Sequence, residues 1–341
     1  MKDYLKRPEF MCEAKEMSKG RNLFVEILLF VAVAFVTTFA VSVLTLLAIT
    51  MAALIKIYAP SVLHLNMVAP SKDQLIQSIL VGSDSSTIIM LFSEIAMIAV
   101  VFLFCRWIEK RKLRTLGFLK KRVVIEYAKG LLVGFVIFSV AVLLCVATGT
   151  LKITGFSIGF SVVTVLLYFF GYMMQGMAEE VLCRGYFMVS LARRYSIPVA
   201  VFVSSFAFSL LHMRNPGITV LAVVNLTLFG VFAGVVMVRQ GNIWMVAGIH
   251  SMWNFTQGNV FGIQVSGLEQ QNSVFSSIMS EEKQWISGGS FGLEGGAAVS
   301  IVLMIGILCF LLMTEKDESG KVKSETVNID FQEETFVLPE D

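Results

Sequence analysis

Residues 23–55 form an apolar run of more than 30 residues with one charged group, Glu26. About 20 such residues are enough for a helix to cross a bilayer. In hydrocarbon every backbone N–H and C=O needs an internal partner, so a lone segment of this kind has to be helical. Further apolar stretches follow at about 87–105, 124–147, 158–190, 197–212, 217–237, 243–261 and 296–313. The chain is 56% hydrophobic with a mean hydropathy of +0.77. These values exclude an ordinary soluble domain and predict an all-α, polytopic membrane bundle of about eight transmembrane helices. The first stretch is too long for a signal-peptide core and is expected to stay as the first span.

Charge gives the sidedness. Residues 1–22 carry six Lys/Arg, residues 106–123 carry eight, and Arg193-Arg194 and Arg239 follow. The loop 262–295 carries four glutamates against one lysine. The positive-inside rule then puts both termini in the cytoplasm of a multi-pass protein of the plasma membrane. The loop 56–86 holds Pro60, Pro70 and His64, with short interfacial helices expected near Ser61–Met67 and Gln74–Val81. The tail 314–341 has nine acids against three lysines and is expected to be disordered. No repeat of equal halves is visible, unlike many transporters. The five cysteines form no CxxC pair and read as small apolar residues. Gly130/Gly134 and Gly230/Gly234 are GxxxG patterns that allow close helix approach. Asn225 reads as an interhelical hydrogen-bonding group.

Within the fourth stretch stand Glu179, Glu180 and Arg184. A charge at the bilayer centre costs about 2.5–3.5 kcal/mol on insertion scales. Packing gives no reason to place three there, and chemistry does. Glu180 and Arg184, four apart, share a helix face, and Glu179 lies about 100° round from Glu180. The next span ends at Phe208 and His212, and the seventh carries His250 and Asn254, also four apart. At about 1.5 Å of rise per residue these groups can meet near the midplane or in the cytoplasmic half. A glutamate in an apolar cavity can act as a general base on water, and an imidazole can hold that water. An imidazole and an amide on one face can donate to an oxyanion. The inventory suits peptide-bond hydrolysis.

At these residues the chain resembles a known family. EExxxR, FxxxH and HxxxN in that order are similar to the signature of the CPBP intramembrane proteases. That family, also called Abi or CAAX-protease-like, includes the eukaryotic CAAX prenyl endopeptidase and bacterial self-immunity proteins. The resemblance covers about residues 158–258, and the Gly-rich segment 288–296 is similar to bacterial members. It implies a helical bundle with a conical cavity. There Glu179 would activate water with His212, His250 with Asn254 would form the oxyanion hole, and Glu180 and Arg184 would orient the site, with Phe208 in support. The division follows: a leader at 1–22, helices and loops at 23–157, a catalytic core at 158–258, a Gly-rich loop and last helix at 259–313, and the acidic tail at 314–341.

Zinc stays open in the sequence, because Glu179, His212 and His250 could supply three ligands with water as the fourth, as in a metalloprotease. There is no HExxH helix, and the resemblance points to no obligatory cofactor. The expected partners are the bilayer and a membrane-embedded or lipid-associated peptide or protein substrate, reached from the lipid or the cytoplasmic face. No nucleic acid is expected, and the oligomeric state is open. Two other classes compete: a non-catalytic membrane protein of the bacteriocin-immunity or scaffold kind, and a proton-coupled transporter.

Overall fold

The computed structural model describes residues 5–62 and 84–313, the side chains of 57–62 excepted. His64, the expected interfacial helices near 61–67 and 74–81, and the acidic tail therefore lie wholly or largely outside the described residues. The fold is an all-α bundle. A short amphipathic helix, α1 (Glu9–Met17), precedes α2 (Leu23–Val62). Next come α3 (Asp84–Ile108) and α4 (Val123–Ala147), then α5 (Val162–Ala192), α6 (Ile197–Leu211) and α7 (Val220–Gln240). α8 (Trp244–Phe255) and α9 (Ala297–Leu312) complete the set. Among the described residues α2, α3, α4, α5 and α7 are each long and apolar enough to cross a membrane. α6, α8 and α9 are shorter.

Local chemistry sets several boundaries. The Ser161 hydroxyl accepts from Thr164 N at the start of α5, and Thr219 does the same for Ala222 N at the start of α7. Pro216-Gly217 forms the turn before that cap, so the helix starts three residues later than the apolar stretch 217–237. Pro198 sits in the first turn of α6, where a missing N–H is harmless. Gly241 ends α7 in the left-handed conformation, φ 66°. Residues 148–156, expected as a plain loop, contain strand β1 (Leu151–Phe156). It pairs antiparallel with β2 (Phe275–Met279), from Leu151↔Met279 to Phe156↔Phe275.

One end of the bundle is basic. There Leu23 N donates to the Tyr195 hydroxyl at 2.7 Å and Trp244 Nε1 to Leu119 O at 2.7 Å. The opposite end holds the β pair and the Tyr168 hydroxyl, which donates to Asp84 at 2.8 Å. Arg193, read from the sequence as a topological charge, is buried: Nη2 lies 3.1 Å from Glu26 and 2.6 Å from Glu109. Arg21 also pairs with Glu109. Arg111 is buried beside them, and burial lowers its proton affinity. It donates to Ser190 Oγ at 3.0 Å and Gly185 O at 3.3 Å. This network locks the leader and the 109–111 turn to the last part of α5, and Phe10, Met11 and Ala14 of α1 are buried.

Both GxxxG patterns serve contacts inside the chain. A Cβ on Gly130 would strike the Met245 carbonyl and Gly248, and one on Gly248 would strike the Tyr127 carbonyl. α4 and α8 therefore touch backbone to backbone. Gly230 lies likewise against Ser205 of α6. Asn225 does not bond helix to helix alone: Nδ2 donates to the Glu294 and Gly296 carbonyls at 2.8 Å each, and Oδ1 accepts from Ser300 at 2.6 Å. It holds the Gly-rich turn in place. Gly130→Val should cost about 1–3 kcal/mol or more, read as a lower thermal midpoint in detergent. Gly149→Asn, at φ 72° with open space around it, should leave the midpoint unchanged.

Candidate active site

α5 is not a uniform helix. It is α-helical to Glu180, π-helical over Val181–Met188, and α-helical again to Ala192. π turns inside helices cluster at functional sites. The pair Glu179-Glu180 sits at the junction, and Arg184 lies within the wide turn.

Glu180 and Arg184 are fully buried. Arg184 Nη1 donates to Glu180 Oε1 at 3.0 Å, and its guanidinium carbon lies 4.5 Å from the centre of the Phe208 ring. The same carboxylate oxygen receives His250 Nδ1 at 2.8 Å. A carboxylate can only accept, so this nitrogen carries the hydrogen and Nε2 faces the other way. It faces Glu179, whose Oε2 is 3.6 Å distant. His250 thus stands between the two carboxylates. Phe208 at 5.9 Å and Phe229 at 4.9 Å meet its ring edge to face.

Glu179 differs from its neighbour in access: its side chain is 16% exposed, against 0% for Glu180. It lines a cavity of about 720 Å³ together with His212, His250, Asn254 and Phe208. Glu180 is absent from that wall. The structure thus separates two carboxylates that spacing alone left equivalent. His212 ends α6, with Nδ1 at 3.0 Å from the Phe208 carbonyl and its ring 4.8 Å from the Phe208 ring. Nδ1 is therefore the donor and Nε2 is left as an acceptor on the cavity side.

Gln175, Glu94 and Glu294 also line the cavity, and none belongs to a motif. Gln175 Nε2 donates to Glu179 Oε1 at 3.1 Å, and Asn254 Nδ2 donates to Gln175 Oε1 at 3.0 Å. Its signal in sequence was its place four residues before Glu179. Glu294, from the Gly-rich turn, accepts from Trp253 Nε1 at 3.1 Å and from Ser266 N and Oγ at 2.8 Å each. Only the folded loop reveals it. Glu94 stands at a break in α3 with one oxygen buried and without a hydrogen-bond partner among the described residues. Among the described residues the lining has four glutamates and no lysine or arginine.

The cavity floor is made by buried Leu182 and Cys183. Its rim includes exposed Leu268, Glu269 and Gln271, which lie at the end remote from the basic loops. Exposed Thr38 and Leu211 carry it to the apolar flank. Among the described residues no three His, Cys, Asp or Glu side chains are grouped closely enough to hold a metal ion as placed.

Two imidazoles, a partly exposed carboxylate and a carboxamide thus line one cavity within apolar helices, with a buried ion pair behind it. Residues 161–256 match the family model described as type II CAAX prenyl endopeptidase Rce1-like, and all seven motif residues fall within the match. The match covers under a third of the chain and makes residues 161–256 similar to that family of CAAX-type intramembrane proteases. No curated protein and no solved structure matches it.

The geometry separates stability from access. Glu180→Leu or Arg184→Leu leaves a buried charge unpaired and should cost about 3–5 kcal/mol. Glu179→Gln should stay within about 1 kcal/mol of the parent, since its amide can keep the Gln175 contact. Thermal unfolding of the purified chain in detergent checks both.

Proposed function

We propose that the chain is an endopeptidase that hydrolyses a membrane-associated peptide or protein with water activated by Glu179. The single observation that carries this reading is the split between the carboxylates. One is sealed against Arg184 and His250, and the other opens onto a cavity shared with both imidazoles. A purely structural charge cluster has no need of the second.

In the proposed reaction a water lies between Glu179 and the acceptor Nε2 of His212. Glu179 takes its proton as the water attacks the scissile carbonyl. The carbonyl oxygen becomes an oxyanion, which in this scheme receives N–H groups from His250 Nε2, protonated there as well as on Nδ1 between the two carboxylates, and from Asn254 Nδ2. Glu180 accepts the Nδ1 hydrogen of His250 and sets the direction of its ring, while Arg184 balances the Glu180 charge. Glu179 then returns the proton to the departing amine, which balances the hydrolysis. No step passes through a metal, and zinc assistance forms no part of the scheme.

The position of the cavity mouth supports a reading of the access side. The loop at its rim carries one lysine across 262–295, while 106–123 at the other end carries eight Lys/Arg. With the basic end in the cytoplasm and the protein in the plasma membrane, substrate enters from the outer face or the adjacent lipid. This reading keeps the expected entry from the lipid and puts the outer face in place of the cytoplasmic one, because the floor of the cavity lies toward the basic end. An outward mouth suits a peptide or protein on the cell surface, as in a self-immunity setting, better than a prenylated protein on the inner leaflet.

Purified protein assayed on a mixed library of internally quenched peptides tests the chemistry. Glu179→Gln and His212→Ala should each lose roughly 10²–10⁴ in kcat, and Asn254→Ala roughly 10²–10³. Full activity in the Glu179 and His212 variants would sink the reading. Sidedness has its own check in a Cys12→Ser/Cys309→Ser background. A membrane-impermeant maleimide should label Glu269→Cys in intact cells and Lys120→Cys only after permeabilisation. The reverse pattern contradicts outward access.

A further inference from the structure

Gln175 bridges the two sides of the proposed site, and the chemistry of its neighbours dictates the direction of every bond. The oxygen and nitrogen of an amide side chain look alike in shape, so orientation has to come from partners. Ionised Glu179 has only acceptors. It therefore requires the Nε2 end of Gln175, observed at 3.1 Å. That choice turns Oε1 of Gln175 toward Asn254, which has to answer with Nδ2, observed at 3.0 Å. With its amino group fixed on the Gln175 side, Asn254 has a second N–H left over. The flipped amide would offer a carbonyl in its place, and a carbonyl repels an oxyanion.

We infer that Gln175 is a positioning residue that uses the charge of Glu179 to set the orientation of the Asn254 carboxamide. The inference rests on the peptidase reading above for its catalytic consequence, but not for its geometry. Gln175 touches neither water nor substrate in this scheme. It links the base on α5 to the oxyanion donor on α8, so the donor is correctly turned only while the base is ionised and able to react. The bland alternative is a packing contact between two helices. That alternative needs no particular direction of the amide and no link to ionisation.

The test uses the full-length chain purified in detergent, as wild type, Gln175→Met and Gln175→Glu. Methionine keeps the length and removes both hydrogen-bonding ends. Glutamate can accept from Asn254 but, when ionised, cannot donate to Glu179. Infrared difference spectra at neutral pH follow the antisymmetric carboxylate stretch of Glu179, assigned by its loss in Glu179→Gln. Removing the donor should shift that band in Gln175→Met and in Gln175→Glu. On the quenched-peptide library, kcat should fall roughly tenfold to hundredfold with KM nearly unchanged. An unmoved band in a folded Gln175→Met protein overturns the relay, whatever its peptidase activity. A moved band in a protein that cleaves no peptide upholds the relay and removes the hydrolase reading instead.

Discussion

One carboxylate oxygen, Glu180 Oε1, receives both Arg184 and His250 inside the bundle. An isolated buried carboxylate is prohibitively costly in a membrane, and two charge-assisted donors offset that cost. The same atom ties α5 to α8. It sets the ring direction of His250, so that Nε2 faces Glu179 and the cavity. Phe208 supports the arrangement from the third helix, beneath the Arg184 guanidinium and against both imidazoles. The site is thus a frame of buried charge with one partly exposed carboxylate at its edge.

The rest of the fold supports that frame. Gly130 and Gly248 let α4 and α8 meet at backbone distance, which fixes the helix that carries His250 and Asn254. The π turn of α5 widens the helix just after Glu180, where Arg184 reaches back to pair with it. At the basic end the buried cluster of Arg193, Glu26, Glu109 and Arg111 secures the end of α5. At the other end Asn225 and Glu294 pin the Gly-rich turn against α7 and α8. The cavity lies between these two anchored ends and opens toward the second.

Much of this was legible in the sequence because intramembrane charges are scarce and therefore informative. Glu179, Glu180, Arg184, His212, His250 and Asn254 stood out against apolar surroundings, and the structure gathers them around one cavity or its supporting frame. Helix positions were legible too, since hydrocarbon leaves the chain few alternatives. The less visible features depend on partners distant in sequence. β1 and β2 are separated by more than a hundred residues, so neither strand announces its mate. Arg193 resembled an ordinary flanking charge until Glu26 and Glu109 were placed against it. Gln175 is a common polar residue whose meaning comes from Asn254 on another helix. Glu294 comes from a loop with no periodic pattern. The choice between Glu179 and Glu180 required burial, which spacing does not contain.

The most direct test of the central claim compares the peptides present in membranes of cells producing the wild-type chain or Glu179→Gln at equal levels. The account predicts cleavage fragments of one or a few membrane-associated proteins with the wild type, and their intact precursors with Glu179→Gln. Identical peptide populations in the two membranes, with both proteins folded and correctly inserted, would contradict it.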